Sequence, residues 1–127
     1  GELDKVEFLG DAAVRIVDYK TGKPKTRGEI EGTTKTSNGN LKRQLVFYKL
    51  LLDIYDSGRY SMQTGVIDFI EADERGKYHR EEFAITKEEV LELRETINRV
   101  TNEILTLSFW GKRCDDKKCD YCKLRQL

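Results

Sequence analysis

No apolar run in this chain approaches the ~20 residues that cross a bilayer, and the N-terminus lacks the basic-then-apolar build of a secretion signal. Net charge is missing too, because 23 Lys and Arg balance 23 Asp and Glu over 127 residues. Overall charge therefore makes no general case for a polyanionic partner. Cysteine is scarce and confined to the last fourteen residues, where all three lie. That is too few and too clustered for a secreted disulfide framework. The three read instead as ligands held as thiols in a reducing, cytoplasmic compartment. No internal repeat is visible, and a single proline, Pro24, stands in a loop.

What remains is 38% hydrophobic and 36% charged, the make-up of a soluble globular chain, and the strands and helices read below make its expected fold class α/β (α+β). Residues 1–127 are long enough for one domain and one core. A motif-bearing core is expected over 1–56, a second hairpin and a helix over 57–108, and a cysteine tail over 109–127. The first hairpin is expected from Leu3–Phe8 and Ala13–Tyr19, joined by Leu9-Gly10-Asp11-Ala12. Thr21–Asn40, rich in Gly, Thr, Lys and Ser, reads as a long loop. From Lys20 to Arg43 it carries seven basic residues against two acids, a local excess able to steer a polyanion or simply a solvated segment.

Leu41, Leu45, Tyr48, Leu52 and Tyr55 recur at helical spacing over Leu41–Asp56, with Val46, Phe47, Leu50, Leu51 and Ile54 widening the apolar surface. Ser57-Gly58 ends that helix. Met62–Ala72 and Lys77–Ile85 predict a second hairpin turning at Asp73–Gly76. Thr86 and Glu89 form a capping box for a last helix. Its stripe Val90, Leu93, Ile97, Val100, Ile104 and Leu107 is expected to be core.

A three-residue turn in the first hairpin pairs Phe8 with Val14, Val6 with Ile16 and Asp4 with Asp18. Val6, Phe8, Val14 and Ile16 then share one buried face, which a one-residue slip would scatter. Asp4 and Asp18 would face each other about 4.5–5.5 Å apart, and opposed carboxylates need positive charge between them. Lys20, on the same strand face as Asp18, is one source; a hard divalent cation such as Mg²⁺ or Mn²⁺ is the stronger one. The plainer alternative is an open hairpin end whose charges are solvated. Gln44 and Tyr48, four apart on one helix face, read either as a polar pair turned toward that site or as a helix-start glutamine and a core tyrosine. Gly22-Lys23 is no triphosphate loop, because Pro24 replaces the required Ser or Thr and Val17 the first glycine.

Taken in order, "GELDKVEF", "VRIVDYKTGK" and "QLVFY" resemble the PD-(D/E)XK nuclease superfamily, specifically its RecB-like branch. That branch includes nuclease domains of helicase–nucleases and CRISPR-associated exonucleases. The resemblance implies a restriction-endonuclease-like mixed sheet flanked by helices, here without the family's N-terminal helix and first strand. It implies that Asp4, Asp18 and the carbonyl of Tyr19 hold Mg²⁺ or Mn²⁺, that Lys20 positions water or stabilises developing charge, and that Gln44 and Tyr48 brace the site and contact nucleic-acid backbone. The activity implied is metal-dependent DNA hydrolysis, on single strands or ends supplied by an attached helicase in repair or recombination, with no membrane partner.

Cys114, Cys119 and Cys122 resemble the C-terminal cysteine triplet of iron–sulfur members, whose fourth cysteine lies upstream of the nuclease motifs. This chain has no such cysteine, and it reads as a C-terminal piece of a longer protein. A [4Fe–4S] cluster is therefore expected only in the parent protein. Here the thiols would hold Zn²⁺, with water, Asp115, Asp116 or Asp120 as fourth ligand, or no metal. The missing N-terminal elements keep two alternatives open, an inactive nucleic-acid-binding or scaffolding module and a structural metal domain. His79 reads as a surface residue.

Overall fold

A computed structural model of the chain describes residues 3–108, 110–115, 119, 120 and 122. Its elements run β1 (Lys5–Phe8), β2 (Ala13–Lys20), α1 (Arg27–Glu31), α2 (Asn40–Ile54), β3 (Ser61–Phe69), β4 (His79–Ala84) and α3 (Lys87–Leu105). The strands form one mixed sheet in the order β1-β2-β3-β4, an α/β fold as expected. β1 and β2 are antiparallel, β2 and β3 parallel, β3 and β4 antiparallel. The parallel pair is joined by a crossover carrying α1 and α2, the length of connection that parallel strands require. The chain divides into two compact units, residues 1–94 and 95–127.

The hairpin register is the expected one, with Phe8 opposite Val14 and Val6 opposite Ile16. The shared burial is not. Val14 and Ile16 are fully buried, whereas Val6 and Phe8 are exposed, Phe8 by 64%. β1 is an edge strand, and α2 packs on β2 and β3, so the apolar face continues past the helix that covers it. Asp4 also departs from expectation. β1 starts at Lys5 and the ladder ends at Lys5–Val17, so Asp4 is not a strand partner of Asp18.

The segment 21–40 is not structureless. Thr26 caps α1 in a capping box with Glu29, and Gly32, at φ 80°, ends it in the left-handed region that glycine tolerates. Ile30 of this short helix is fully buried. Arg27 lies 4.2 Å from the centre of the Phe83 ring and reaches Glu81 at 3.1 Å, tying α1 to β4. The basic excess of this region is largely paired within the fold: Lys23 with Glu74, Arg27 with Glu31 and Glu81, and Lys42 with Glu89.

α2 presents Leu45, Tyr48 and Leu52 to the core, while Phe47 and Ile54 on its other sides are exposed. The helix ends at Ile54, and a single tight turn, Tyr55–Gly58, follows. The second face of the sheet is roofed by charge. Arg15 reaches Glu82 at 3.0 Å and Glu7 at 3.3 Å, and Arg80 reaches Asp68 at 3.6 Å. Beneath lie Val17 and Val66, both buried, covered by the aliphatic stems of long charged residues.

The β3–β4 turn closes at Asp73–Gly76 as expected. The Asp73 carboxylate contacts His79 Nε2 at 2.7 Å and accepts the Lys77 and Arg75 N–H groups. These contacts, His79 first, lower its pKa to about 2. His79, the first residue of β4, is half-buried and tied to the turn through Asp73.

The capping box Thr86/Glu89 forms, but the α3 stripe is not core. Val90 is buried, Leu93 and Ile97 are half-buried, and Val100, Ile104 and Leu107 are exposed. Periodicity reports which side chains share a helix face, not whether anything lies against that face. From residue 95 onward the helix belongs to the second unit, which is too short to build a core of its own.

Gly65 sets the spacing between sheet and helix. A Cβ there would stand 2.8 Å from Met62 Cε and 3.0 Å from both Leu45 methyl carbons. Gly65→Val is expected to destabilise the fold by about 2 kcal/mol through overpacking, read as a lowered urea midpoint with an unchanged slope.

Candidate active site

Parallel strands leave a crevice beyond their carboxyl ends, where the chain turns away into the crossover. β2 ends there with Asp18 and Lys20, and α2 brings Gln44 and Tyr48 to the same place. Asp18 is 2% exposed, the one charged side chain placed in the core among the described residues. Its Oδ1 accepts a hydrogen bond from the Tyr48 hydroxyl at 2.9 Å. That hydroxyl in turn accepts from Gln44 Nε2 at 2.6 Å. Gln44 Oε1 accepts from Lys20 Nζ at 2.8 Å, and Lys20 Nζ stands 2.7 Å from Asp18 Oδ2. The four side chains close a ring.

The ring fixes the chemistry of its members. Lys20 can only donate, so the Gln44 amide must turn its oxygen toward Lys20 and its nitrogen toward Tyr48. Tyr48 must then give its proton to Asp18. Burial, followed by the hydrogen bond to the Asp18 carboxylate, pushes the Tyr48 phenol up to about 12, so it is a neutral donor at every ordinary pH.

Asp4 joins from the edge. Its Oδ2 accepts the Tyr19 N–H at 2.9 Å, holding the backbone between Asp18 and Lys20. The structure thus brings Asp18, Lys20, Gln44 and Tyr48 into direct contact, with Asp4 attached through the Tyr19 backbone rather than facing Asp18. Gly22, in the left-handed region at φ 87°, turns the chain out of β2, and its N–H is taken by Glu71 at 2.9 Å.

The donor set suits a hard cation. Lys20 Nζ approaches Asp18 Oδ2 as an ion pair, yet no donor is aligned on that oxygen as a hydrogen bond. The Asp18 carboxylate, the Asp4 carboxylate and the Tyr19 carbonyl are hard oxygen donors of the kind Mg²⁺ and Mn²⁺ take.

In the second unit, the Sγ atoms of Cys114, Cys119 and Cys122 lie within 4.8 Å of one another, with Cys114 and Cys122 3.5 Å apart. This triplet could bind a metal, and its soft thiols select a different one from the carboxylates. Among the acids expected near it, Asp116 lies outside the described residues.

Sequence reasoning missed Glu71, and it missed the direct bond from Lys20 to Gln44. No local signal announces either, because both join residues 24 or more apart in sequence. It also missed α1, for which Thr26-Arg27-Gly28-Glu29 carries a readable capping-box signature.

An α/β domain with an acid–lysine centre at the carboxyl end of a parallel strand pair has the frame and the groups for phosphoryl chemistry. The chain belongs to the PD-(D/E)XK nuclease superfamily, whose family model matches residues 1–127. Membership implies nuclease-type phosphodiester hydrolysis on a nucleic-acid substrate, in a superfamily that is typically metal-dependent. No curated protein and no solved structure matches the chain.

Replacing Tyr48 by Phe leaves Asp18 Oδ1 and Gln44 Nε2 without their partner. Tyr48→Phe is expected to cost about 1–3 kcal/mol at neutral pH. Because the folded Tyr48 pKa is raised from 10 to about 12, its contribution is whole below pH 10 and is lost as pH rises through 12. The stability difference between wild type and Tyr48→Phe, followed by chemical denaturation, should shrink across that window.

Proposed function

We propose that this domain is a Mg²⁺- or Mn²⁺-dependent deoxyribonuclease of the RecB-like branch, the nuclease part of a helicase–nuclease acting in DNA repair or recombination in the cytoplasm. The observation that carries the reading is the closed ring Asp18–Tyr48–Gln44–Lys20, which holds a buried carboxylate and an ammonium together beside Asp4 at the end of β2. Asp4, Asp18 and the Tyr19 carbonyl would hold the cation, which supplies Lewis-acid polarisation of a phosphoryl oxygen and a lowered pKa for an attacking water. Lys20, held by Gln44 and Asp18, would orient the water or stabilise negative charge developing on the phosphoryl oxygens. Tyr48 and Gln44 keep both groups in register without titrating.

With Mn²⁺ or Mg²⁺, the protein should hydrolyse DNA, and Asp18→Ala should reduce that rate by at least about 10²–10³-fold, the scale on which loss of one group stabilising transition-state charge is felt. Circular dichroism is expected to show a folded variant. Equal rates for Asp18→Ala and wild type would overturn the assignment. Salt-sensitive DNA binding without Mn²⁺ binding in calorimetry would favour the non-catalytic nucleic-acid-binding module instead.

The convergence of the three thiols supports a second component of the reading, a thiophilic metal held at Cys114, Cys119 and Cys122. Three thiolates leave one position of a four-coordinate site to another ligand: Asp115 or Asp120 for Zn²⁺, or a cysteine from elsewhere in a parent protein for a [4Fe–4S] cluster. Metal analysis of protein purified without oxygen should find iron with visible absorption or zinc without it, and Cys114→Ser should lower the metal content several-fold. Metal-free wild-type protein would reject this component and leave the nuclease reading untouched.

A further inference from the structure

A second feature lies beside the candidate active site, on the face of α2 that carries Tyr48. Tyr48 lines not only the ring but also a groove of about 540 Å³, with Leu3, Leu51, Leu52 and Tyr55 among its other walls. The volume is in the range of small-ligand clefts. At the far end, three aromatic rings gather from different elements. Phe8 of β1 meets Tyr60 edge-on, with ring centres 5.8 Å apart. Tyr55 lies nearly parallel to Tyr60, at 6.5 Å and 12°. The Arg59 guanidinium stands 5.3 Å from the Tyr60 ring centre. Phe8 and Tyr55 are 64% and 61% exposed, and only Tyr60 is half-buried.

Aromatic side chains of this size are rarely left in water as a group, because each exposes a large apolar area. The turn that presents them is strained. Asp56 and Ser57 both sit at positive φ, 45° and 55°, ahead of Gly58 at 77°. Two consecutive non-glycine residues in that region cost about 1–3 kcal/mol each, a cost met at sites of function more often than in plain connections. Tyr48 and Tyr55 are seven residues apart on α2 and its end, roughly 10 Å along the helix. Asp4 and Phe8 are separated by four residues of extended chain, roughly 13 Å. The cluster is thus within a few nucleotides of the Asp18–Lys20 centre.

We propose that Phe8, Tyr55 and Tyr60, with Arg59, form a stacking platform for unpaired bases of a single nucleic-acid strand held at the acid–lysine centre. The inference rests on the nuclease reading and narrows its substrate to a strand with exposed bases. Base faces stack on aromatic rings regardless of sequence, and an arginine over the stack adds attraction to rings and phosphates alike. A duplex keeps its base faces covered and has nothing to offer such a platform. Tyr48 belongs both to the groove wall and to the ring at Asp18, which favours substrate over an unrelated partner as the occupant.

The test uses fluorescence anisotropy with three labelled probes, in EDTA so that none is cut: oligo(dT), an abasic strand of the same length, and a blunt duplex. Tyr55→Ala and Phe8→Ala alter exposed rings and leave the core intact. Each is expected to weaken oligo(dT) binding by about 10-fold, within the range for loss of one base–aromatic stack. Tyr55→Phe should restore it, and binding of the abasic strand and of the duplex should not change. Equal oligo(dT) affinities for Tyr55→Ala, Phe8→Ala and wild type would overturn the platform, leaving the groove to a protein segment. Equal losses on all three probes would overturn it as well.

The two readings fail separately. Metal-dependent cleavage by wild type with no effect of Tyr55→Ala on oligo(dT) binding rejects the platform and keeps the nuclease. Tyr55-dependent binding of oligo(dT) without any cleavage keeps the platform and rejects the catalytic assignment.

Discussion

A carboxylate placed in an apolar core carries a desolvation cost of several kcal/mol unless its charge and lone pairs are met, and Asp18 is such a carboxylate. Ile16 and Ile67, both fully buried, lie beside it on the sheet. Lys20 supplies the opposite charge from two residues along the strand, and Tyr48 supplies a proton from the crossing helix. Both must be in place together, which ties the end of β2 to α2. Gly65 lets the helix come close enough for that contact, by leaving room for Met62 and Leu45 where a side chain would have stood. The acid therefore depends on α2 sitting where it does.

The same arrangement divides the sheet by function. One face is apolar under α2 and ends in the ring of polar groups, and the other is covered by Arg15, Glu82, Glu7 and Arg80 over buried valines. Paired long side chains of this kind contribute little stability individually, but their stems cover Val17 and Val66. The parallel pair β2–β3 with its helix holds most of the buried residues. The exposed aromatic residues and the Tyr55–Gly58 turn lie at its edge, where a strand or helix end presents side chains without disturbing the core.

Much of this was readable from residue order. Strand alternation placed Val14, Ile16, Asp18 and Lys20 on one face, and the hairpin register followed from the short turn. Helical spacing put Leu45, Tyr48 and Leu52 together, and the Thr86/Glu89 box marked a helix start that does form. The errors share a cause. Val6 and Phe8, and the residues Val100, Ile104 and Leu107, lie on faces that periodicity identifies well, but no other element covers them among the described residues. Burial belongs to the partner as much as to the stripe. Of the basic residues of 20–43, Lys23, Arg27 and Lys42 are paired with acids distant in sequence, Glu74, Glu81 and Glu89, which composition does not reveal.

Sequence by itself determined which groups this protein has for its chemistry and roughly which element bears each, because strand and helix periods are local properties of the chain. Only the tertiary structure decided how those groups meet. Lys20 bonds Gln44, the Tyr48 proton goes to Asp18, and Asp4 secures the backbone of Tyr19 instead of opposing Asp18. Those contacts depend on the distance and angle at which α2 crosses the sheet. That crossing is fixed by packing between residues that are remote along the chain, and no local pattern encodes it.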